Sequence, residues 1–154
     1  MRIYTLDAIA EAVGTMLGTT GWLFVDQPLI DSFADLSGDR QWIHVDPERS
    51  AGGTYGVPIA HGLLVLSLLP ALTVSLFEVV GVGSRINYGY DRVRFPSPLP
   101  VNSEIRNRVT LLGCDPRNDG HVMLRLGHKV EARGHDRPVC VAESLTLLTG
   151  EQAA

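Results

Sequence analysis

The chain has 154 residues, of which 45% are hydrophobic and 19% are charged, and its formal net charge is −4 at pH 7. This balance is typical of one globular domain large enough to bury a substantial core, and it excludes an intrinsically disordered chain. Because Lys129 is the only lysine and no basic patch is present, the composition argues against a nucleic-acid partner.

The N-terminal residues and the cysteines provide an expectation about location. Residues 1–7 contain no apolar signal region. Cys114 and Cys140 lack the spacing of a metal or redox motif, so we expect two reduced thiols. We therefore expect a cytoplasmic protein that forms one domain over residues 1–154.

The first part of the chain is predicted to be mainly helical. Residues 5–13 are predicted to form a short helix, and residues 22–25 a first strand. Asp26 is in position to cap a second helix, which Gly38 ends. The Asp-Pro-Glu sequence at residues 46–48 predicts the start of a further short helix, because a capping residue precedes a proline.

An uncharged run at residues 62–77 follows and is predicted to form a buried central helix. It resembles a membrane span in composition. Its length of about 16 residues, with Pro70 inside and Glu78 closing it, falls short of the roughly 20 residues needed to cross a bilayer. We therefore expect no membrane partner.

The second half of the chain is predicted to be a set of strands separated by turn signals rich in Pro, Gly, Asn and Asp. The predicted strands cover residues 85–95, 104–112, 121–132 and 139–148. Hairpin-scale connections favour antiparallel pairing. The sequence therefore predicts an α+β fold in which an antiparallel sheet wraps the central apolar helix.

Two residue types with acid–base chemistry stand five positions apart on the connection after the second helix. They are Asp39 and His44, and a carboxylate and an imidazole can share one water and move its protons near neutral pH. Gly62 opens the central helix, where unpaired N–H groups can stabilise an oxygen that gains negative charge. Taken alone, Asp39 is also compatible with an ordinary turn residue and His44 with a buried core histidine.

The sequence resembles a known family at these positions, which read SGDRQWIH at residues 37–44 and AHG at residues 60–62. They resemble the MaoC-like hydratase/dehydratase family of hot-dog folds, which includes the (R)-specific enoyl-CoA hydratases. The stretch INYGYDRVRFP at residues 86–96 looks like the subgroup related to nodulation protein N. Gln41 and Trp42 replace the more common Asn-Pro, and Pro70 stands where some hydratases have a serine.

The resemblance implies a hot-dog fold and reversible addition of water to a trans-2-enoyl-CoA, with a (3R)-3-hydroxyacyl-CoA as product. It implies that the Gly62 N–H binds the thioester carbonyl, while Asp39 and His44 hold the water and transfer its protons. Further substrate contacts are implied at positions distributed over the loop, the helix start and a strand, namely Gln41, Ile43, His61 and Asn87. His61 and Asn87 are also compatible with purely structural roles.

The resemblance also implies the partners of the protein. Coenzyme A would enter as part of the acyl thioester substrate, so no separate cofactor is expected, and a homodimer is expected. The histidine and cysteine spacings predict no metal site. The main alternative is an acyl-CoA thioesterase of the same fold, although residues 63–77 contain no acidic residue of the kind such enzymes carry on the helix. A non-catalytic acyl-binding protein is a third hypothesis.

Overall fold

A computed structural model describes residues 1–150 of the chain, so the last four residues of the expected domain lie outside the described residues. The first seven elements are β1 (Arg2–Tyr4), α1 (Leu6–Glu11), β2 (Met16–Thr19), β3 (Leu23–Val25), α2 (Gln27–Ser37), α3 (Trp42–Val45) and α4 (Pro47–Ala51). The remaining elements are α5 (Gly62–Ser67), α6 (Leu69–Val74), β4 (Phe77–Val79), β5 (Arg85–Arg94), β6 (Ser103–Pro116), β7 (Val122–Ala132) and β8 (Cys140–Leu148).

The predicted starts of α2 and α4 and the predicted end of α2 are confirmed, whereas α1 ends at Glu11 rather than at residue 13. The Asp26 carboxylate accepts a hydrogen bond from the Leu29 amide at 3.0 Å and so caps α2. The Asp46 carboxylate caps α4 by accepting from the Arg49 amide at 2.9 Å. Gly38 ends α2 in the left-handed conformation, with φ of 78°, which glycine adopts without steric cost.

The four long strands predicted from the second half are confirmed, and they form the body of an antiparallel sheet. Its strand order is β2-β6-β7-β8-β5, and β3 pairs with β6 beside β2. A separate two-stranded parallel sheet joins β1 to β4. β1, β2 and β4 have only three or four residues and were not predicted, whereas β3, equally short, was detected from its consecutive apolar and aromatic residues.

The apolar run that was predicted as one central helix forms two short helices. The helical run is interrupted at Leu68, which separates α5 from α6, and it ends at Val74 rather than at Phe77. The physical reason lies at Pro70, which has no N–H to donate to the carbonyl of Leu66 one turn earlier. Phe77 instead begins β4.

The two helices nevertheless lie against the sheet in the expected place. Leu64, Val65 and Leu69 are buried and pack in one apolar cluster with Ile105 and Val130 of the sheet. A second apolar cluster lies around Phe77 at the other end of the sheet. Within residues 1–150 no helix is both long enough and apolar enough to span a bilayer.

Candidate active site

The predicted acidic residue lies on the sharp turn that follows α2. Gly38 directs the chain out of the helix, and Asp39 comes next with an exposed side chain. The main-chain carbonyl of Asp39 accepts a hydrogen bond from Nε2 of His61 at 2.8 Å. A residue 22 positions later therefore fixes the turn that carries the carboxylate.

His44 was expected on the irregular connection after α2, but it lies on the one-turn helix α3 and is 7% exposed. Its Nδ1 is 2.6 Å from the carbonyl oxygen of Ile59. Because a carbonyl can only accept, Nδ1 carries the hydrogen, and Nε2 of the neutral ring is left with a free lone pair. This contact therefore determines the tautomer that a general base needs.

His61 is 3% exposed and precedes α5. Its ring stacks on that of His44, with 3.7 Å between the centroids and 25° between the planes. Since Nε2 donates to the carbonyl of Asp39, Nδ1 is the bare nitrogen, and it has no protein partner within residues 1–150. Two stacked imidazoles thus each have one nitrogen held by a main-chain carbonyl.

The pKa of His44 is lowered below 6.5, and burial is the largest cause because it disfavours the charged ring. The hydrogen bond to Ile59 raises the pKa, the neighbouring His61 lowers it, and the Asp39 carboxylate raises it. The net effect keeps His44 neutral near pH 7 and able to accept a proton.

Gly62 is the first residue of α5 and lines a pocket of about 390 Å³ together with His44. A Cβ at this position would lie only 2.6 to 2.9 Å from ring atoms of Phe95, so the close approach of that ring requires a glycine. The Gly62 amide has no hydrogen-bond acceptor in the described part of the chain. Its N–H is therefore available to a ligand in the pocket.

Asp39, His44 and His61 lie together. Each offers one carboxylate oxygen or ring nitrogen, and these atoms lie within 4.8 Å of one another. Carboxylates and neutral imidazoles are ligands for divalent cations, so the cluster is also a potential metal site that the sequence spacings did not indicate. The same geometry allows the carboxylate and an imidazole to share one water.

The other predicted substrate contacts divide into two groups. Gln41 and Ile43 lie beside the cluster and shape its loop: the Gln41 amide donates to the Asp39 carboxylate at 3.4 Å, and the Ile43 carbonyl accepts from Ile59. Asn87 lies apart, on β5, and lines a different cavity beside α6. Its substrate role remains a prediction.

Sequence reasoning missed two aromatic residues at the pocket, Tyr55 and Phe95. Tyr55 lies on the glycine-rich connection after α4, which carries no periodic signal. Phe95 follows β5, and its position was not predictable without the packing of that strand beside Gly62.

Comparison with known proteins identifies the family of the chain. The model of the "MaoC like domain" family matches residues 8–132. The chain belongs to this family. The MaoC-like assignment is thus confirmed, and its residues 37–44 and 60–62, which carried the resemblance, lie within the matched range.

Two curated relatives resemble this MaoC-like protein over most of their length. A protein of Mycobacterium tuberculosis named 3-hydroxyacyl-thioester dehydratase Z is 44% identical over 137 residues, which cover 89% of this chain and 91% of that protein. Nodulation protein N of Rhizobium leguminosarum bv. viciae is 38% identical over 150 residues, covering 96% and 93% of the two chains.

Solved structures confirm the hot-dog fold. The unliganded (R)-hydratase PhaJ1 of Pseudomonas aeruginosa matches with a TM-score of 0.74 and 23% identity, covering 92% of this chain and 87% of that one. An (R)-hydratase of A. caviae involved in PHA biosynthesis matches with a TM-score of 0.69 and 22% identity, covering 87% and 94%.

Proposed function

We propose that the protein is a hydro-lyase that reversibly adds water to a trans-2-enoyl-CoA and produces a (3R)-3-hydroxyacyl-CoA. One observation carries this proposal: the Asp39 carboxylate and the His44 ring lie within reach of one water, beside a pocket that contains the free Gly62 amide. The names of the relatives support the same chemistry, since one is a 3-hydroxyacyl-thioester dehydratase and two structural neighbours are (R)-hydratases.

The Gly62 N–H would donate a hydrogen bond to the thioester carbonyl oxygen. This contact draws electron density from the conjugated double bond, and C3 becomes electrophilic. Asp39 and His44 would hold a water against C3. The water oxygen bonds to C3, one of its protons passes to the dyad, and the dyad supplies one proton to C2, so that one water is added overall. Dehydration is the reverse sequence.

The remaining residues of the cluster would position these groups. His61 holds the turn of Asp39 through the main chain and stacks on His44, so its substitution should disturb both catalytic side chains. Gln41 and Ile43 lie in the same loop and would help to position these groups. Coenzyme A enters as part of the substrate, and the proposed chemistry requires neither a separate cofactor nor a metal.

We further infer a homodimer from the sheet. β5 is the terminal strand in the sheet order and is ten residues long. A long unprotected edge strand presents unpaired N–H and C=O groups that readily pair with another strand. Antiparallel pairing of β5 with its copy in a second subunit would satisfy these groups and extend the sheet.

The test is a spectrophotometric assay with crotonyl-CoA and a longer trans-2-enoyl-CoA, in which the conjugated thioester absorbance and free thiol are followed together. Loss of the enoyl absorbance without thiol release, followed by chiral analysis that identifies the (3R) alcohol, would support the proposal. Thiol release would instead indicate the thioesterase alternative. Absence of both signals with short and long substrates would contradict both enzymatic assignments.

A further inference from the structure

A second cavity, of about 240 Å³, lies between α6 and strands β5, β7 and β8. Leu69 and Thr73 face it, whereas Gly62 and Val65 line the proposed catalytic pocket. These four positions are spaced by three or four residues, and Leu68 between the two helices keeps a right-handed helical backbone, so they form one face of the α5–α6 run. Leu69 and Thr73 lie seven and eleven residues after Gly62. At a rise of about 1.5 Å per residue, the two sites are therefore roughly 10–16 Å apart along this face.

The floor of this cavity contains a network of hydrogen-bonded polar side chains. The His128 ring lies between two side chains, with Nδ1 at 3.0 Å from Asn107 Nδ2 and Nε2 at 2.8 Å from Ser144 Oγ. Asn107 Nδ2 also lies 3.5 Å from Thr73 Oγ1. All four residues are buried, and Asn107 is 0% exposed.

The direction of each hydrogen bond can be assigned by starting from Thr73, the member of the network that lies on α6. Thr73 Oγ1 donates to the Leu69 carbonyl at 2.7 Å, so it accepts from Asn107 Nδ2. The second Asn107 N–H then donates to His128 Nδ1, because the opposite amide orientation would leave two buried donors without acceptors. A neutral His128 must therefore carry its hydrogen on Nε2 and donate to Ser144.

With the hydrogen bonds in these directions, the hydrogen of the Ser144 hydroxyl has no acceptor within the network. Within residues 1–150, His128 is the hydrogen-bond partner of Ser144 Oγ, and it donates to one lone pair of that oxygen. Burial lowers the pKa of His128 from 6.5 to about 4, so the ring stays neutral and the direction of the network is constant near pH 7. Ser144 lines the cavity, and its hydroxyl hydrogen is available to an acceptor on a ligand there.

The charged side chain that lines the cavity, Arg85, is engaged by Phe77. Its guanidinium lies 5.0 Å from the centroid of the Phe77 ring and donates to the Phe77 carbonyl at 3.5 Å. The remaining wall includes Leu69, Val74 and Leu126. Asn87, Tyr90 and Thr146 also line the cavity, and Asn87 is hydrogen-bonded to Tyr90. A mainly apolar chamber in which the network leaves the Ser144 hydroxyl free to donate suits an alkyl chain that carries one oxygen acceptor.

We propose that this cavity holds the distal part of the acyl chain of the thioester substrate and that Ser144 donates a hydrogen bond to an ether, keto or hydroxyl oxygen on that chain. The protein would therefore prefer acyl chains that carry an oxygen at one particular position to plain alkyl chains. This inference rests on the proposed function and adds the substrate class to it.

The test compares trans-2-dodecenoyl-CoA with analogues in which one distal methylene is replaced by an ether oxygen at successive positions. Wild type is expected to show a maximum in the ratio of oxygenated to plain kcat/KM at one position. Ser144→Ala should lower that ratio by about tenfold, since one neutral hydrogen bond is lost. Thr146→Val removes another cavity-lining hydroxyl, outside the directed network, and should leave the ratio unchanged.

The proposal is overturned if no oxygen position distinguishes wild type from Ser144→Ala, or if Thr146→Val lowers the ratio equally. Crotonyl-CoA separates this result from a failure of the proposed function, because its chain is too short to reach the cavity. If crotonyl-CoA is not hydrated, calorimetric binding of the same ether and alkyl thioesters still decides whether Ser144 discriminates between them. Equal affinities in wild type would then contradict the cavity assignment.

Discussion

Two buried histidines lie near opposite ends of the α5–α6 face, and their surroundings differ in one decisive respect. His44 has one nitrogen held by a main-chain carbonyl and the other unoccupied beside the carboxylate of Asp39. Both nitrogens of His128 are engaged by side chains. Its pKa is lowered by burial, and no acidic neighbour among the described residues counteracts this effect. Burial lowers the pKa of both, but only His44 combines a free lone pair with a nearby negative charge. Burial alone therefore does not make a histidine a catalyst.

The strongest test of this comparison removes each half of the dyad. Asp39→Asn and His44→Gln should each lower turnover of crotonyl-CoA by roughly a hundredfold to ten-thousandfold, the usual contribution of a general acid–base group. Steady-state kinetics measures the loss, and circular dichroism checks that the fold is kept. Arg40→Ala is a suitable control, because Arg40 forms an exposed pair with Asp35 in the same loop region. Near wild-type turnover in either dyad variant would refute the assignment.

The second test concerns the stability that depends on a neutral His128. The folded pKa of about 4 lies below the ordinary value of 6.5, so the unfolded chain binds the proton more readily. Its contribution is fully present above pH 6.5 and is lost as the pH falls towards 4, by up to about 3 kcal/mol. His128→Gln should therefore show a weaker pH dependence of the free energy of unfolding, measured by denaturant titration.

The matched control for that experiment is His135→Gln, because His135 is exposed in the turn between β7 and β8. Its pH dependence should follow that of wild type. If His128→Gln and His135→Gln change the slope equally, His128 is not the group responsible for the loss of stability in acid.

The third test uses the proton affinity of His44. Because its pKa is lowered, mainly by burial, the acidic limb of the kcat/KM profile should lie below pH 6.5. Activity should then fall about tenfold for each further pH unit, as the general base becomes protonated. A pH–rate profile with crotonyl-CoA measures this. An acidic limb at or above pH 6.5 would contradict the lowered pKa, and activity that falls as the pH rises through this region would mean that the imidazole acts in its charged form.

A smaller effect is expected from crowding at the start of α5. Gly62→Ala keeps the N–H but places a methyl group against Phe95, so we expect a loss of about tenfold in kcat/KM from local overpacking. Phe95→Ala should make the same substitution nearly neutral in the double variant. The nonadditivity of the two changes measures the clash, and simple additivity would contradict it.

The smallest effect is expected from metal removal. Although Asp39, His44 and His61 could hold a cation, the proposed acid–base mechanism does not require one. Treatment with a chelator, with metal content checked by elemental analysis, should leave the rate unchanged. Loss of activity that zinc restores would assign the cluster to a metal site instead.

Much of the architecture was predictable from local signals. Asp26 and Gly38 define α2 by capping and by left-handed backbone, which depend on few neighbours. Long strands such as β7 alternate in burial and are detected for that reason. The division of the central helix was missed, although Pro70 was visible, because the apolar pattern continues across it.

The site was predictable in part. Asp39, His44 and Gly62 were identified from spacing and family resemblance, and the structure brings them near one pocket. The stacking of His61 on His44 was not predictable, because it depends on a contact between segments far apart in the chain. The network around His128 was missed for the same reason, since its members come from three strands and a helix.

The two main-chain contacts of the stacked imidazoles have a consequence for how the pocket can diversify. One joins His61 to Asp39 and the other joins His44 to Ile59, so the intervening loop is tied at its base. Tyr55 lies on the free part of that loop. Insertions or deletions there would change loop-closure entropy only slightly and would leave the base intact. The entrance of the pocket can therefore vary in length between relatives while the reactive groups keep their positions.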